Sequence, residues 1–148
     1  MSEKSNLAVE YFGQKLHCSQ AVLLAFAEEC GLTGEQAIKA GSCLGSGMRK
    51  GEVCGALTGA LVALGLIAGQ CAADDLEGRA RSNRLNDEMM DRFSQCCGSW
   101  LCKDLLGCDI ATEAGLAHAR SSNLFTTRCP VFVEQAALLV EEILEGEK

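Results

Sequence analysis

The stretch from Val53 to Ala73 constrains the fold more than any other segment, because its 21 residues carry no charge. A run of that length is long enough to cross a bilayer as a helix. Glycine and alanine outnumber leucine and isoleucine in it, however, and small residues let neighbouring backbones approach closely. We therefore expect a buried helix at the centre of a helical bundle. A transmembrane helix is the alternative that the segment leaves open.

The other segments show the 3.6-residue periodicity of amphipathic helices. Pro130 is the single proline and β-branched residues are scarce, so little interrupts a helix. No alternating pattern is long enough to predict a strand. Apolar spacing predicts helices over 3–15, 18–30, 34–44, 75–96, 99–106 and 112–120, and a C-terminal helix with Phe132, Ala136, Leu139 and Ile143 on one face.

These patterns predict an all-α protein. We expect residues 1–148 to form one compact domain, a bundle of about six to seven helices around the small-residue helix. A chain of 148 residues buries a sizeable core without disulfides. The net charge of −7 argues against a nucleic-acid partner, since binding phosphates requires a basic surface.

The first residues are polar and no apolar signal-peptide segment follows them. We therefore expect a cytoplasmic protein with no membrane association. Structural disulfides are rare in that reducing compartment, whereas free thiols, metal-bound thiolates and transient disulfides are compatible with it.

The chain contains ten cysteines and no Cys-x-x-Cys pair, so their placement on the helices carries the functional information. Four of them fall at predicted helix starts: Cys18, Cys54, Cys102 and Cys129. Ser99 is the expected N-cap of the helix with Cys102, and Pro130 at a first helical position makes Cys129 an expected N-cap. The other six lie in mid-helix, at helix ends or in loops.

A helix start changes the chemistry of a thiol. Its free N–H groups and partial positive charge stabilise an anion, which lowers the thiol pKa and favours the nucleophilic, metal-binding thiolate. His17 beside Cys18, and Arg49 and Lys50 upstream of Cys54, favour the same shift. We therefore predict that these four cysteines are functional.

The same four cysteines carry a resemblance to a known family. The segments Cys54-Gly55-Ala56-Leu57-Thr58-Gly59, Cys18-Ser19-Gln20-Ala21-Val22 and Cys102-Lys103-Asp104-Leu105-Leu106-Gly107, together with Cys129, are similar to the C_GCAxxG_C_C family. The family's redox activity is inferred from its cysteines. The resemblance spans nearly the whole chain and implies a redox role for these four positions, without naming a reaction.

The first functional hypothesis is thiol–disulfide or electron-transfer chemistry, as in a thiol oxidoreductase. Cys54 is the expected nucleophile, because glycine lines its helix start. Cys18, Cys102 or Cys129 would resolve the mixed disulfide, and the sequence does not rank them. The partner would be a redox protein or a small thiol or disulfide.

Two alternatives remain open at this point. The same four cysteines, Cys18, Cys54, Cys102 and Cys129, could form a four-thiolate site for an iron–sulfur cluster or a zinc ion, and the sequence does not identify the cofactor. The chain could instead be a non-catalytic helical interaction module whose cysteines fill packing positions, with a homodimer as one of its forms.

Overall fold

The computed structural model describes residues 2–148, which form nine α-helices and no β-strand. The helices are α1 (Glu3–Phe12), α2 (Cys18–Ala25), α3 (Gly34–Gly41), α4 (Gly55–Ala68), α5 (Leu76–Cys97), α6 (Cys102–Leu106), α7 (Glu113–Ser121), α8 (Leu124–Thr127) and α9 (Cys129–Gly146). The all-α prediction is confirmed. The described range contains nine helices, more than the expected six to seven, and one of these, the four-residue α8, has too few residues to show a period.

The uncharged segment forms a helix shorter than the run itself. α4 has 14 residues and packs against α2, α5 and α9, with Ala56, Leu57, Ala60 and Ala63 fully buried. In the described part of the chain, no helix combines the length and the apolar character that crossing a membrane requires. The interpretation as a buried helix is therefore the one that the structure supports.

Glycine allows α4 to approach α2 at the level of the backbone. A β-carbon on Gly59 would lie 2.5 Å from the carbonyl oxygen of Ser19, which is too close for any real side chain. The side chain of Ser19 is fully buried and its hydroxyl donates to the carbonyl of Gly41, at the end of α3, over 2.7 Å. The start of α2 is thus held between α4 and α3.

Apolar side chains gather in two clusters of different size. The larger, here called the main core, is built from α1 to α5 and α9 with Leu105 of α6, and it includes all four residues of the predicted C-terminal apolar stripe. The smaller, here called the minor cluster, consists of Cys102, Leu106, Ile110 and Ala119, with partly buried side chains from α7 and α8 against it. The two clusters leave a cavity where they meet.

Candidate functional site

All four cysteines at the predicted helix starts line a single cavity of about 690 Å³. Cys18 and Cys54 approach it from the main core, and Cys102 and Cys129 from the minor cluster. All four are free thiols. The four cysteines lie at the starts of four different helices that are distant in sequence, and the fold brings them to the same cavity.

Cys18 is the first residue of α2. The side-chain carbonyl of Gln20 accepts a hydrogen bond from the backbone N–H of the preceding residue, His17, over 2.8 Å. This contact fixes the chain just before the helix, as in one half of a capping box. The predicted position of Cys18 at a helix start is therefore confirmed.

Cys54 and Cys102 are held by a short backbone pairing that joins distant segments. Val53 and Leu101 form an isolated antiparallel bridge. The N–H of Cys54 donates to the carbonyl of Trp100 over 2.8 Å, and the N–H of Cys102 donates to the carbonyl of Glu52 over 2.6 Å. These two hydrogen bonds hold the backbones of Cys54 and Cys102 on adjacent segments at the cavity.

Two of the predicted caps are wrong, although the helix starts themselves are right. Leu101, and not Ser99, is the N-cap of α6, because the Ser99 hydroxyl accepts from the N–H of Leu101 and donates to Asp104 instead. Cys129 is the first residue of α9 rather than its N-cap, and Pro130 follows at the second position. Both cysteines nevertheless remain in the first helical turn.

The glycine after Cys54 is required by the thiol of Cys18. A β-carbon on Gly55 would lie less than 3.0 Å from Sγ of Cys18, 3.1 Å from the carbonyl oxygen of Leu44 and 3.2 Å from Cα of Gly45. The Cys-Gly sequence at the start of α4 therefore makes room for the thiol at the start of α2. This contact places Sγ of Cys18 against the residue that directly follows Cys54.

One backbone N–H group acts on both of these thiols. The N–H of Ala56 lowers the pKa of Cys18 and of Cys54. The N–H groups of Ser46, Ser19 and Cys18 also lower the pKa of Cys18. More backbone N–H groups therefore act on Cys18 than on Cys54.

Ser46 belongs to a left-handed turn that leads into the site. The backbone φ angles are 55° at Ser46, 60° at Gly47, 57° at Met48 and 63° at Arg49. Non-glycine residues adopt such angles rarely, and each costs about 1–2 kcal/mol. Strained backbone of this kind is concentrated at functional sites, because the rest of the fold must hold it in place.

The expected lowering of the thiol pKa values is not found. Burial raises the pKa of Cys18 and holds that of Cys54 well above its ordinary value, and the backbone N–H groups offset only part of this effect. Burial likewise raises the pKa of Cys102 and of Cys129 to about 12. Desolvation therefore raises the pKa of these thiols by more than the N–H groups at the helix starts lower it. All four are protonated thiols at neutral pH.

The same pKa values place Cys18 at the centre of the group. A negative charge on Cys18 raises the pKa of Cys54, of Cys102 and of Cys129. Only one thiolate at a time is therefore favoured in the cavity. Such coupling is what a site needs to form a thiolate at one sulfur while its neighbour stays protonated.

Cys108 is the one further cysteine coupled to this group. It packs against the minor cluster, and its charge raises the pKa of Cys102. The remaining five, Cys30, Cys43, Cys71, Cys96 and Cys97, do not line the cavity. The sequence analysis did not separate Cys108 from those five. Its position directly after Gly107, which has a φ of 72°, was a local signal that could have drawn attention to it.

Cationic side chains also line the cavity. Lys15, Arg49 and Arg120 are exposed at its wall, together with His17. None of the three is within ion-pair distance of a carboxylate in residues 2–148. The sequence pointed to Arg49, but not to Lys15 or Arg120, which lie on segments without a cysteine motif.

The residues do not form a ready metal site in this conformation. Over residues 2–148, no group of three or more His, Cys, Asp or Glu side chains is arranged to hold one metal ion. The four thiols line one cavity without meeting at one point. The arrangement therefore does not fit the four-thiolate site that the sequence left open for zinc or an iron–sulfur cluster.

Comparison with known proteins gives one match. A family model described as "Putative redox-active protein (C_GCAxxG_C_C)" matches residues 16–143, which include all four cavity cysteines. Neither the curated proteins nor the solved structures gave a match.

Proposed function

The chain belongs to the C_GCAxxG_C_C family, and we propose that it carries out thiol–disulfide exchange with Cys18 and Cys54 as its redox pair. The observation that carries this proposal is the position of Sγ of Cys18 against Gly55, the residue that directly follows Cys54. The N–H of Ala56, which lowers the pKa of both thiols, supports the same pairing.

In this proposal Cys18 makes the first attack. Cys18 is intermediate in exposure and four backbone N–H groups lower the pKa of its thiol, whereas Cys54 is 6% exposed. The sequence favoured Cys54 as the nucleophile. We assign Cys54 the resolving role instead, because fewer backbone N–H groups stabilise its thiolate and because it is the more buried residue of the two.

The exchange conserves atoms and electrons. The thiol of Cys18 loses its proton to solvent and attacks one sulfur of a substrate disulfide, so that an S–S bond to Cys18 forms, the substrate S–S bond breaks and one substrate thiolate leaves and takes up a proton. Cys54 then loses its proton and attacks Sγ of Cys18, and the second substrate sulfur leaves as a thiolate that takes up a proton. Two protein thiols are oxidised to one disulfide, and one substrate disulfide is reduced to two thiols.

The pKa values favour this direction of the reaction. A strong thiol oxidant has a stabilised thiolate that keeps its reduced form low in free energy. Burial removes that stabilisation at both Cys18 and Cys54. We therefore assign the protein the role of disulfide reductant, a thiol oxidoreductase that delivers two electrons.

Peptide mapping of the oxidised protein tests the pairing. The reduced protein is mixed anaerobically with a small disulfide, and we expect a Cys18–Cys54 bond. Cys54→Ser should trap the substrate as a mixed disulfide on Cys18, and Cys18→Ser should abolish exchange. Cys43→Ser, which changes an exposed cysteine outside the cavity, is the matched control. Unchanged exchange in Cys54→Ser would contradict the proposal.

The metal hypothesis is tested on the same material. Protein purified without oxygen is assayed for iron and zinc and its visible spectrum is recorded. A brown protein with stoichiometric iron would replace the exchange proposal by electron transfer through a cluster. Colourless protein with four titratable cavity thiols is the expected result.

A further inference from the structure

The charge on the cavity wall differs in sign from the rest of the molecule. The chain has 20 Asp and Glu residues against 13 Lys and Arg residues, yet no carboxylate lines the cavity. Lys15, Arg49 and Arg120 do line it, and none of them has a carboxylate partner among residues 2–148. In an acidic protein, a cavity whose charged lining residues are all cations favours an anionic occupant.

The backbone at two of these cations is held in a rare conformation. Lys15 has a φ of 69° and Arg49 a φ of 63°, both in the left-handed region that side chains other than glycine seldom adopt. Lys15 lies between α1 and α2, and Arg49 ends the left-handed turn before Cys54. Two separate segments thus accept backbone strain while bringing a cation to the same cavity.

The rest of the lining restricts the size and polarity of the occupant. Phe12, Leu116 and Phe125 contribute apolar surface, and the volume of about 690 Å³ is that of a pocket for a small molecule. The thiol of Cys18 lies in the same cavity. An occupant that matches all three features is small, has an apolar middle and carries negative charge at its ends.

We propose that the substrate is a small organic disulfide bearing carboxylates, whose charged ends pair with Lys15, Arg49 and Arg120 while its S–S bond lies against Cys18. This inference rests on the proposed function and adds the substrate class to it. Cys18 and Cys54 are oxidised to a disulfide and the bound molecule is reduced to two carboxylate-bearing thiols, so no further reductant enters the step.

Rates with three disulfides of similar size and different charge test the inference in the unmodified protein. The probes are 3,3′-dithiodipropionate with two carboxylates, 2-hydroxyethyl disulfide with none, and cystamine with two ammonium groups. Each rate is divided by the rate of the same probe with free dithiothreitol, which corrects for intrinsic reactivity. We expect the dianion to react at least about tenfold faster than the neutral probe, and cystamine to be slowest.

Variants identify the residues responsible. Lys15→Gln, Arg49→Gln and Arg120→Gln should each lower the rate with the dianion several-fold and leave the neutral probe unchanged. Arg79→Gln removes an exposed cation of α5 that has no ion pair in the described residues and lies outside the cavity, so it should change neither rate. Raising the salt concentration should weaken the preference in the parent protein.

Binding of suberate separates this inference from the proposed function. Suberate has the length and charge of 3,3′-dithiodipropionate but no S–S bond, and its affinity is measured by calorimetry. Binding that the Arg49→Gln variant weakens supports the anion site even where no exchange occurs. Exchange that is equally fast with all three probes, or that proceeds only with a protein disulfide, would overturn the inference while leaving the exchange chemistry intact.

Discussion

Replacing Gly55 by alanine tests the contact on which the proposed pairing depends. The added β-carbon would lie less than 3.0 Å from Sγ of Cys18, 3.1 Å from a carbonyl oxygen of Leu44 and 3.2 Å from Cα of Gly45. Two of these three neighbours are backbone atoms that cannot rotate away. The thiol must therefore move, or the start of α4 must separate from α2.

The magnitude follows from two opposing effects. Overpacking a well-packed site costs about 1–3 kcal/mol. Alanine recovers about 0.5–1 kcal/mol relative to glycine in a helix, because it restricts the unfolded chain. We therefore expect Gly55→Ala to lower the free energy of unfolding by about 1–2 kcal/mol, measured by urea denaturation under reducing conditions.

Gly65→Ala is the matched control, since it lies in the same helix with no atom within 4 Å of the added β-carbon. It should raise the free energy of unfolding by about 0.5–1 kcal/mol. In a Cys18→Ala background the Sγ atom is gone, so the cost of Gly55→Ala should fall by about 1 kcal/mol. Equal stability of Gly55→Ala and Gly65→Ala, or an unchanged cost without the thiol, would refute the reasoning.

Three further predictions concern stability. The thiols of Cys102 and Cys129 have a pKa of about 12 in the folded protein, against an ordinary value of 9.0. Between pH 9 and pH 12 the folded protein therefore keeps protons that the unfolded chain loses. The free energy of unfolding, measured by urea titration, should fall over this pH range. Alanine variants of both cysteines should show a smaller fall. Ser19→Ala removes a buried hydroxyl that donates over 2.7 Å, which should cost about 1–2 kcal/mol, whereas exposed Ser42→Ala should cost less than about 0.5 kcal/mol in the same assay. Met48→Gly should raise the thermal midpoint, because Met48 has a φ of 57° and its side chain is exposed; a lower midpoint would argue against strain there.

The sequence predicted the helices better than it predicted the chemistry. The predicted helix over 75–96 agrees with α5 to within one residue at each end, and the predicted C-terminal stripe lies within α9. The uncharged run was less exact, because α4 stops at Ala68, five residues before the run ends. Local patterns also placed Cys18, Cys54, Cys102 and Cys129 at helix starts, because capping depends on adjacent residues.

Three properties of the site could not be predicted from the sequence, because each of them depends on the tertiary fold. The raised pKa values depend on how much of each thiol the folded protein covers, and local spacing carries no information on burial. The pairing of Cys18 with Cys54 depends on the approach of α2 to α4. Lys15 and Arg120 reach the cavity from opposite ends of the chain, and only the tertiary fold brings them together.

The bridge between Val53 and Leu101 also has a consequence for how the chain reaches its native state. It joins residues 48 positions apart, and the cavity cysteines span positions 18 to 129, so the site depends on contacts that are distant along the chain. Distant contacts form late, because closing a long loop costs entropy before any contact compensates for it. Until then ten unprotected thiols are free to react with any partner. Refolding under oxidising conditions should therefore give mixed disulfide isomers. Under reducing conditions the helices assemble first, and later oxidation joins only those cysteines that lie close together in the folded cavity.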